Sequence, residues 1–439
     1  MLRRLEQQFT RARSRTATNA TSPTSKPQHQ PRTPRTPGSA APPAFSTSSE
    51  PSTSEQLTRS ADYTAGSATS ALSSRASLSS LRDSLPENPK IYEFSEISAA
   101  TNKFLSKRTA TSSSSVSSTP SWKCNLRGKD TIVFQRKLHH PTTQSAIRSK
   151  LSQICKSHHA AVIKLLGAAI SGDSIYLVYE FVSGSNLADC LRPKNPSYTV
   201  LGTWMSRMQV ADDIADGLDY IHNNTGLELR LVHNHIKSSS IIVTEASQSA
   251  RICHFGTAKL CSEPIERSSM EIGSEMEPRM VRSGSVKFRG TPGYMAPEFK
   301  VTGIGTQKSD VYAFGVVVLE LISGDKPMRY DYDAQTGEYR TISLIESARA
   351  ALNDGNVVDG GGGEGRLRRW VDSRLKDSFP VDVAERMTRL ALDCVHVEAD
   401  RRPDMRRVAN KISGLYLRSM KWAENLKVPV DFTASFAPR

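Results

Sequence analysis

The chain is predicted to fold as an α+β protein of two unequal parts, small and strand-rich first, larger and helical second, behind a disordered tail. Three observations predict this. From Thr10 to about Pro86 the 439-residue sequence is rich in Ser, Thr, Pro and Arg and poor in large apolar residues, a composition that cannot bury enough surface to offset chain entropy. Short strand-like runs follow, Thr131-Ile132-Val133-Phe134 and Ser174 to Val182. Past Trp204, the residues Met208, Ala211, Ile214, Ala215, Leu218 and Ile221 recur at spacings of three and four, the stripe of a helix with one buried face.

Each element can be justified in order. Leu2, Leu5 and Phe9 share one face of a first helical turn, with Arg3 and Arg4 beside them; a basic tail, an organelle transit peptide and a membrane-surface helix all have this pattern. Residue 2 is Leu rather than Gly, which excludes N-myristoylation. Order is expected to begin near Ile91-Tyr92-Glu93-Phe94, followed by a helical stretch from Ile97 to Phe104 and a second Ser/Thr-rich run from Thr109 to Thr119. A helix is expected around Ala146–Ile154, between the two strand-like runs. The longest apolar stretch, Val311 to Ile322, is too short to cross a bilayer and carries Glu320.

Composition narrows the function classes. The net charge is +14, but residues 1–85 hold only eleven Lys/Arg against five Asp/Glu, so the charge is spread. Diffuse charge is the mark of a solvated surface rather than a nucleic-acid face. Cys124, Cys155, Cys190, Cys253, Cys261 and Cys394 are scattered without a C-x-x-C pair, which argues against a disulfide framework or a structural zinc site and for reduced, intracellular thiols.

Three ordered blocks carry the strongest signal. They are Gly290-Thr291-Pro292-Gly293-Tyr294-Met295-Ala296-Pro297-Glu298, then Ser309-Asp310-Val311-Tyr312-Ala313-Phe314-Gly315, then Arg402-Pro403. Together they resemble the end of a protein-kinase activation segment, its buried C-lobe helix and the arginine that pairs with the A-P-E glutamate. The chain is similar above all to plant receptor-like kinases of the LysM type: Ala99-Ala100-Thr101-Asn102-Lys103-Phe104 resembles their juxtamembrane segment, and Leu367 to Leu375 with Pro380-Val381-Asp382 their C-lobe tail. The resemblance implies a bilobal protein-kinase-like fold over residues 89–420, with a β-rich N-lobe at about 91–182 and a helical C-lobe at about 183–420. Residues 1–88 would be the tail and 421–439 a C-terminal tail. It further implies that Asp310 holds the backbone of the catalytic loop, that Glu298 and Arg402 form a buried ion pair, and that Ile154, His233 and Phe255 join the lobes.

The same resemblance locates the chemistry, and there the residues depart from the family. Phosphoryl transfer rests on a glycine loop, a Lys held by a Glu, metal-binding side chains and an Asp for the nucleophile. The glycine loop is replaced by a Ser-rich run, Ser112 to Trp122, whose residues cannot easily take the positive φ angles of such a turn. Arg136 stands at the ATP-binding Lys position, with Lys137 as the alternative one residue on, and Lys150 stands at the partner Glu, so a cation is expected to face a cation. Phe134 takes the place of a small Ala and is expected to fill part of the adenine pocket, which Tyr179, Glu180 and Val182 would line with the hinge. In the catalytic loop, Leu231 to Ser240, His235 replaces the catalytic Asp and Ser240 the metal-binding Asn; Lys237 is retained and could touch an anion. Asn234 replaces the Arg that reads a phosphorylated activation segment. His254-Phe255-Gly256 replaces D-F-G, and a neutral imidazole is a poor ligand for Mg²⁺.

Several signals are set aside. His233-Asn234-His235 spells a metal-nuclease motif, but the kinase context explains His233 as a core residue. His235 and His254 could share Zn²⁺ only with a third ligand. Gly360 to Gly365 is expected to be a flexible loop. Ser22, Thr33, Thr36, Ser268, Ser269, Ser283 and Ser285 are candidate phosphate acceptors on Ser/Thr-rich segments. The function expected is that of a pseudokinase of receptor-like cytoplasmic type, a scaffold or allosteric partner of active receptor-like kinases; the alternative is a weak or atypical ATP-dependent Ser/Thr kinase. No cofactor is expected, with ATP and Mg²⁺ bound weakly at most, and no specific nucleic acid or transmembrane segment. The expected location is cytoplasmic, with peripheral membrane contact or organelle targeting through the N-terminus left open.

Overall fold

The structure, a computed structural model, describes residues 90–105, 120–140, 142–194, 199–225, 231–265, 290–333, 337–352 and 363–426. All lie in the second of the chain's two units, Ser70–Arg439. The N-terminal tail, the run Thr109–Thr119 and the candidate acceptors Ser22, Thr33, Thr36, Ser268, Ser269, Ser283 and Ser285 fall outside the described residues.

The smaller lobe contains β1 (Lys90–Ile91), α1 (Phe94–Ala100), β2 (Ser121–Leu126), β3 (Lys129–Lys137), α2 (Gln144–Ile154), β4 (Leu165–Ser171) and β5 (Ser174–Glu180). The strands form one sheet in the order β1-β4-β5-β3-β2, with β1 parallel to β4 and the remaining neighbours antiparallel. Side chains of a strand alternate between faces, so β5 serves both sides of the sheet. Tyr176 and Val178 pack with Ile97, Leu126 and Val133 on one face. Leu177 and Tyr179 join Ile147, Leu151 and Ile154 of α2 on the other. The Thr143 hydroxyl caps α2 by accepting from Ala146 N at 3.3 Å.

The predicted helix from Ile97 to Phe104 is shorter and shifted, ending at Ala100. The Thr101 hydroxyl turns back onto Ile97 O at 2.8 Å, and Asn102, Lys103 and Phe104 take left-handed φ values of 50°, 54° and 62°. The reversal delivers the Phe104 ring to Trp122 and Tyr176, with centroids 4.9 and 5.4 Å away. Aromatic packing thus overrides helical propensity here.

The larger lobe begins with β6 (Gly184–Asn186), α3 (Leu187–Leu191) and α4 (Trp204–Asp219). β7 (Ile241–Thr244) and β8 (Ala250–Ile252) complete a three-stranded sheet with β6. Then come α5 (Thr257–Leu260), α6 (Pro297–Thr302), α7 (Gln307–Ser323), the hairpin β9 (Met328–Asp333) and β10 (Glu338–Ser343), α8 (Leu344–Leu352), α9 (Gly363–Trp370), α10 (Val381–Cys394) and α11 (Met405–Asn425). α7 is the centre of this lobe: every residue from Ser309 to Ser323 is buried. The apolar stretch Val311–Ile322 is therefore core, and no described helix is long and apolar enough to cross a membrane. A Cβ on Gly315 would lie 2.7 Å from Cys394 Cβ, so the close approach of α7 and α10 needs glycine there.

Two outcomes differ from the expected element plan. Gly363, Glu364 and Gly365, expected in a flexible loop, open α9; glycine is a poor helix former, and burial of Leu367 two residues on supplies the packing that holds the helix. α11 runs on to Asn425, because the buried positions Leu415, Ser419 and Ala423 continue at spacings of four.

Candidate functional site

The loop from Leu231 to Lys237 is fixed from below. Both oxygens of the buried Asp310 carboxylate accept backbone N–H groups, His233 N and Asn234 N, each at 2.7 Å, while His222 Nε2 lies 3.1 Å from Oδ2. Asn234 turns through a left-handed φ of 63°. The His233 ring is buried; its Nδ1 accepts from His235 N at 3.2 Å, so its Nε2 carries the proton donated to Cys253 O at 2.8 Å. Burial, outweighing Asp310, pushes the His233 imidazole down to about 4. That keeps it neutral and the tautomer fixed.

His235 follows this anchor and meets a carboxylate that the sequence does not announce. Its Nε2 lies 3.0 Å from Glu263 Oε1, and Asn234 Nδ2 donates to Glu263 Oε2 at 2.8 Å. Burial alone would raise the Glu263 pKa; the charge and hydrogen bond of His235, the Asn234 amide and the charge of Arg136 outweigh it and hold the carboxyl at about 2. Glu263 is positioned by its own strand-like segment, since Pro264 O accepts from Gly305 N at 2.9 Å and Ile265 bridges to Gly305.

Above the loop, His254 takes a left-handed φ of 67° and lies against the edge of Phe134, with ring centroids 4.6 Å apart. Its Nδ1 is buried without a hydrogen-bond partner among the described residues. Burial, then the charges of Arg136, His235 and Lys237, push it well below the ordinary imidazole range. The next residues are locked to the smaller lobe. Tyr179 OH donates to Phe255 O at 2.9 Å and lies 3.0 Å from Thr257 Oγ1. A Cβ on Gly256 would lie 2.7 Å from Ile154 Cγ2.

The alternation of β3 decides between its two basic residues. Phe134 and Arg136 share the face toward the loop, and Arg136 Nε is buried without a partner among the described residues. Lys137 turns to solvent, 3.7 Å from Asp173 with its side chain 74% exposed. Lys150 is not left confronting Arg136: its Nζ donates to Lys259 O and Ser262 Oγ, both at 3.1 Å, because the chain after α5 presents neutral oxygens to it. Lys237 Nζ donates to Thr291 Oγ1 at 3.3 Å, and burial followed by the charge of Arg136 lowers its pKa. Ser240 is positioned by Ser240 N donating to Lys237 O and Cys253 N donating to Ser240 O, both at 2.9 Å, yet its Oγ is buried without a partner among the described residues.

Arg136, Phe134, His235, Lys237, Ser240 and His254 are thus gathered. Tyr179 is buried and tied to the His-Phe-Gly backbone. Glu180 turns aside, accepting from Lys164 N at 3.1 Å and pairing with Arg251 at 3.2 Å; Val182 packs on the main core. Glu263 was missed; the only sequence signal for it is that it is the first acid after His254. Among the described residues no group of three or more His, Cys, Asp or Glu is placed to hold a metal ion.

The frame around the site is held by two networks, one centred on the buried Arg402 and its half-buried partner Glu298, the other on the buried Glu320. Arg402 is fully buried and donates to both oxygens of Glu298 at 2.7 Å and to His396 O, Lys308 O and Val397 O. Glu320 accepts from Arg192 at 2.7 Å, Ser238 Oγ at 3.0 Å and Tyr294 OH at 2.5 Å, and burial raises its pKa despite Arg192.

Comparisons with known proteins agree with this geometry. The family description "Protein kinase domain" matches residues 129–412. LysM domain receptor-like kinase 3 of Arabidopsis thaliana is 32% identical over 77% of this chain and 48% of its own length. Protein LYK5 of the same plant is 26% identical over 76% of this chain and 45% of its own length; the chain thus spans about half the length of these relatives. PTI1-like tyrosine-protein kinase 1 of Arabidopsis thaliana is 30% identical over 62% of this chain and 68% of its own. Among solved structures, the pseudokinase domain of BIR2, described as an immune regulator of the RLK/Pelle family, superimposes with a TM-score of 0.53 at 21% identity, covering 79% of this chain and 96% of that one; this likeness concerns the fold. A strand-rich lobe, a helical lobe, a loop seated on Asp310 and an ion pair between the buried Arg402 and the half-buried Glu298, matched over residues 129–412, place the chain in the protein kinase domain family, among those of the receptor-like type.

Proposed function

We propose that this chain is a pseudokinase of the receptor-like type, a scaffold or allosteric partner of active receptor-like kinases. The observation that carries this reading is the surroundings of His254, the residue at the position of the metal-binding Asp. A divalent cation wants carboxylate, carbonyl or water oxygens. His254 offers a buried imidazole, and burial together with the nearby charges of Arg136, His235 and Lys237 disfavours a positive charge on it. The donor set does not suit Mg²⁺.

The residue at the catalytic Asp position supports the same reading. An imidazole can serve as a general base, but the Nε2 of His235 is already directed at Glu263. A general base contributes about 10²–10⁴-fold, which does not replace the electrostatic stabilisation that metal ions give a transferring phosphoryl group. The Phe134 ring, packed on His254 and Tyr179, reduces the room for a base. What the fold retains is the shape of a kinase domain, and the proposal assigns the binding of another kinase to that shape.

The test is phosphotransfer by the purified chain to itself and to a generic protein substrate, beside the variant His235→Asp/His254→Asp. The expected result is no transfer by the unaltered chain. Transfer that disappears in Lys237→Ala would overturn the proposal. The scaffold role is read separately, by whether the chain changes the autophosphorylation rate of an active LysM-type kinase domain; no effect across a titration to excess would remove it.

A further inference from the structure

Positive charge is spread along the sequence, but the fold of α11 gathers part of it on one face. The helix Met405–Asn425 holds five Lys/Arg against one Glu. At 3.6 residues per turn, Arg407, Lys411, Arg418 and Lys421 fall within an arc of about 80° and follow one another over about 21 Å of the helix. All four are exposed. The other side of α11 is the one that packs. Val408, Ile412, Leu415 and Ser419 are buried there, and Ser413, Tyr416 and Ser419 hydrogen-bond to Asp212, Gln209 and Trp204 of α4. None of the four cations makes an ion pair among the described residues, whereas the exposed Arg329, Arg389 and Arg401 pair with Asp325, Glu385 and Glu398. The turn between Lys411 and Arg418 is open as well, since a Cβ on Gly414 would meet nothing within 4 Å. Leu417, at the edge of the row, is 58% exposed.

Like charges three and four residues apart on a helix repel, so Arg407 with Lys411 and Arg418 with Lys421 weaken α11 until a negative partner covers them. The row is shaped for a flat contact. Its charge runs along a line instead of converging on one point, and no side chain rises at Gly414 to hold a broad surface away. An anionic lipid surface supplies negative charge over such a length, and beneath it an apolar layer that can receive Leu417. A nucleic acid offers the charge without that layer, and no exposed aromatic side chain stands between the four cations to stack on its bases. We propose that the outer face of α11 is a docking surface for an anionic lipid membrane, bound through Arg407, Lys411, Arg418 and Lys421 with Leu417 at the headgroup boundary. No residue of the cleft takes part, so membrane binding is read apart from phosphotransfer.

The test is co-sedimentation of the full chain with phosphatidylcholine vesicles, with and without about one third phosphatidylserine. Binding is expected only where phosphatidylserine is present, and it is expected to weaken as added salt shortens the range of the attraction. Each cation near such a surface is worth about fivefold in partitioning, so Lys411→Gln is expected to weaken binding about fivefold and Arg407→Gln/Lys411→Gln/Arg418→Gln/Lys421→Gln about a hundredfold or more. The contrast is Lys137→Gln/Arg329→Gln/Arg389→Gln/Arg401→Gln, which removes the same charge from other exposed positions and is expected to weaken binding about threefold at most. Gly414→Lys adds a cation to the middle of the row and is expected to tighten binding about fivefold, a gain that misfolding cannot mimic. Leu417→Ser is expected to weaken binding with its salt dependence unchanged. No binding to the phosphatidylserine vesicles, equal binding to phosphatidylcholine alone, equal losses in the two quadruple variants, or no gain in Gly414→Lys would each overturn the proposal. So would displacement from the vesicles by polyglutamate or duplex DNA at equal negative charge, which would assign the face to an acidic protein segment or to a nucleic acid.

Discussion

Glu263→Gln is the substitution that most directly probes the charge arrangement of the cleft. The carboxyl stands at about 2 against an ordinary value of 4.5, so the folded state prefers the charged form. At about 1.4 kcal/mol per tenfold change in proton affinity, this corresponds to about 3 kcal/mol. Because the folded value is depressed, the contribution is fully present above pH 4.5 and is lost as the pH falls toward 2. Gln keeps the shape and the hydrogen bond to Asn234 but carries no charge. The variant should therefore be less stable than the parent by up to about 3 kcal/mol at pH 5 to 6. The difference should shrink steadily as the solution is acidified below pH 4.5. Urea denaturation followed by tryptophan fluorescence, at half-unit steps from pH 6 to the acid-unfolding limit, measures it. A difference below about 0.5 kcal/mol at pH 6, or one that stays constant with pH, would refute the reasoning.

Two further substitutions test the frame around the site. Arg402→Met should destabilise the chain by about 3–5 kcal/mol, since it strips the partner from Glu298 and leaves three backbone carbonyls without their donor; the double variant with Glu298→Gln should cost less than the sum of the single changes in urea titrations. Gly256→Ala places a Cβ 2.7 Å from Ile154 Cγ2 at a φ of +79°, so a loss of about 1–3 kcal/mol is expected, read as a lower urea midpoint, with Gly→Ala at the open Gly414 position as the contrast.

The parts of the molecule legible in the sequence are those whose partner is a backbone or a neighbour in a short motif. Asp310 is an example: its two oxygens bind the N–H groups of His233 and Asn234 whatever side chains stand there. α7 and the Glu298–Arg402 pair were readable because an uninterrupted apolar run and an acid–base pair in fixed blocks leave few alternatives. The missed features depend on juxtapositions that no local pattern carries. Glu263 reaches His235 across 28 residues only because the chain after α5 pairs with Gly305. Lys150 finds Lys259 O and Ser262 Oγ across more than a hundred residues. The end of α1 at Ala100 is set by the Phe104 ring seeking Trp122 and Tyr176, and α9 forms through glycines because Leu367 is buried.

These two kinds of interaction explain how the frame tolerates an altered cleft. The loop is held by Asp310 through main-chain groups and by His233 through Cys253 O, so side chains at 235 and 254 can change without moving it. On the proposed reading, in which His235 and His254 stand where the family pattern has aspartate, a negative charge is missing at each of those positions while Arg136 and Lys237 stay in place. Uncompensated, that would gather positive charge in a poorly hydrated space, which is costly. The structure answers it in two ways: burial and neighbouring charge keep His254 neutral, and Glu263 enters beside His235 with its carboxylate held ionised. Both are local adjustments to charge, and neither rebuilds an oxygen-rich metal site. The compensation therefore lies in the charge of one carboxylate, and that charge is what the Glu263→Gln measurement weighs.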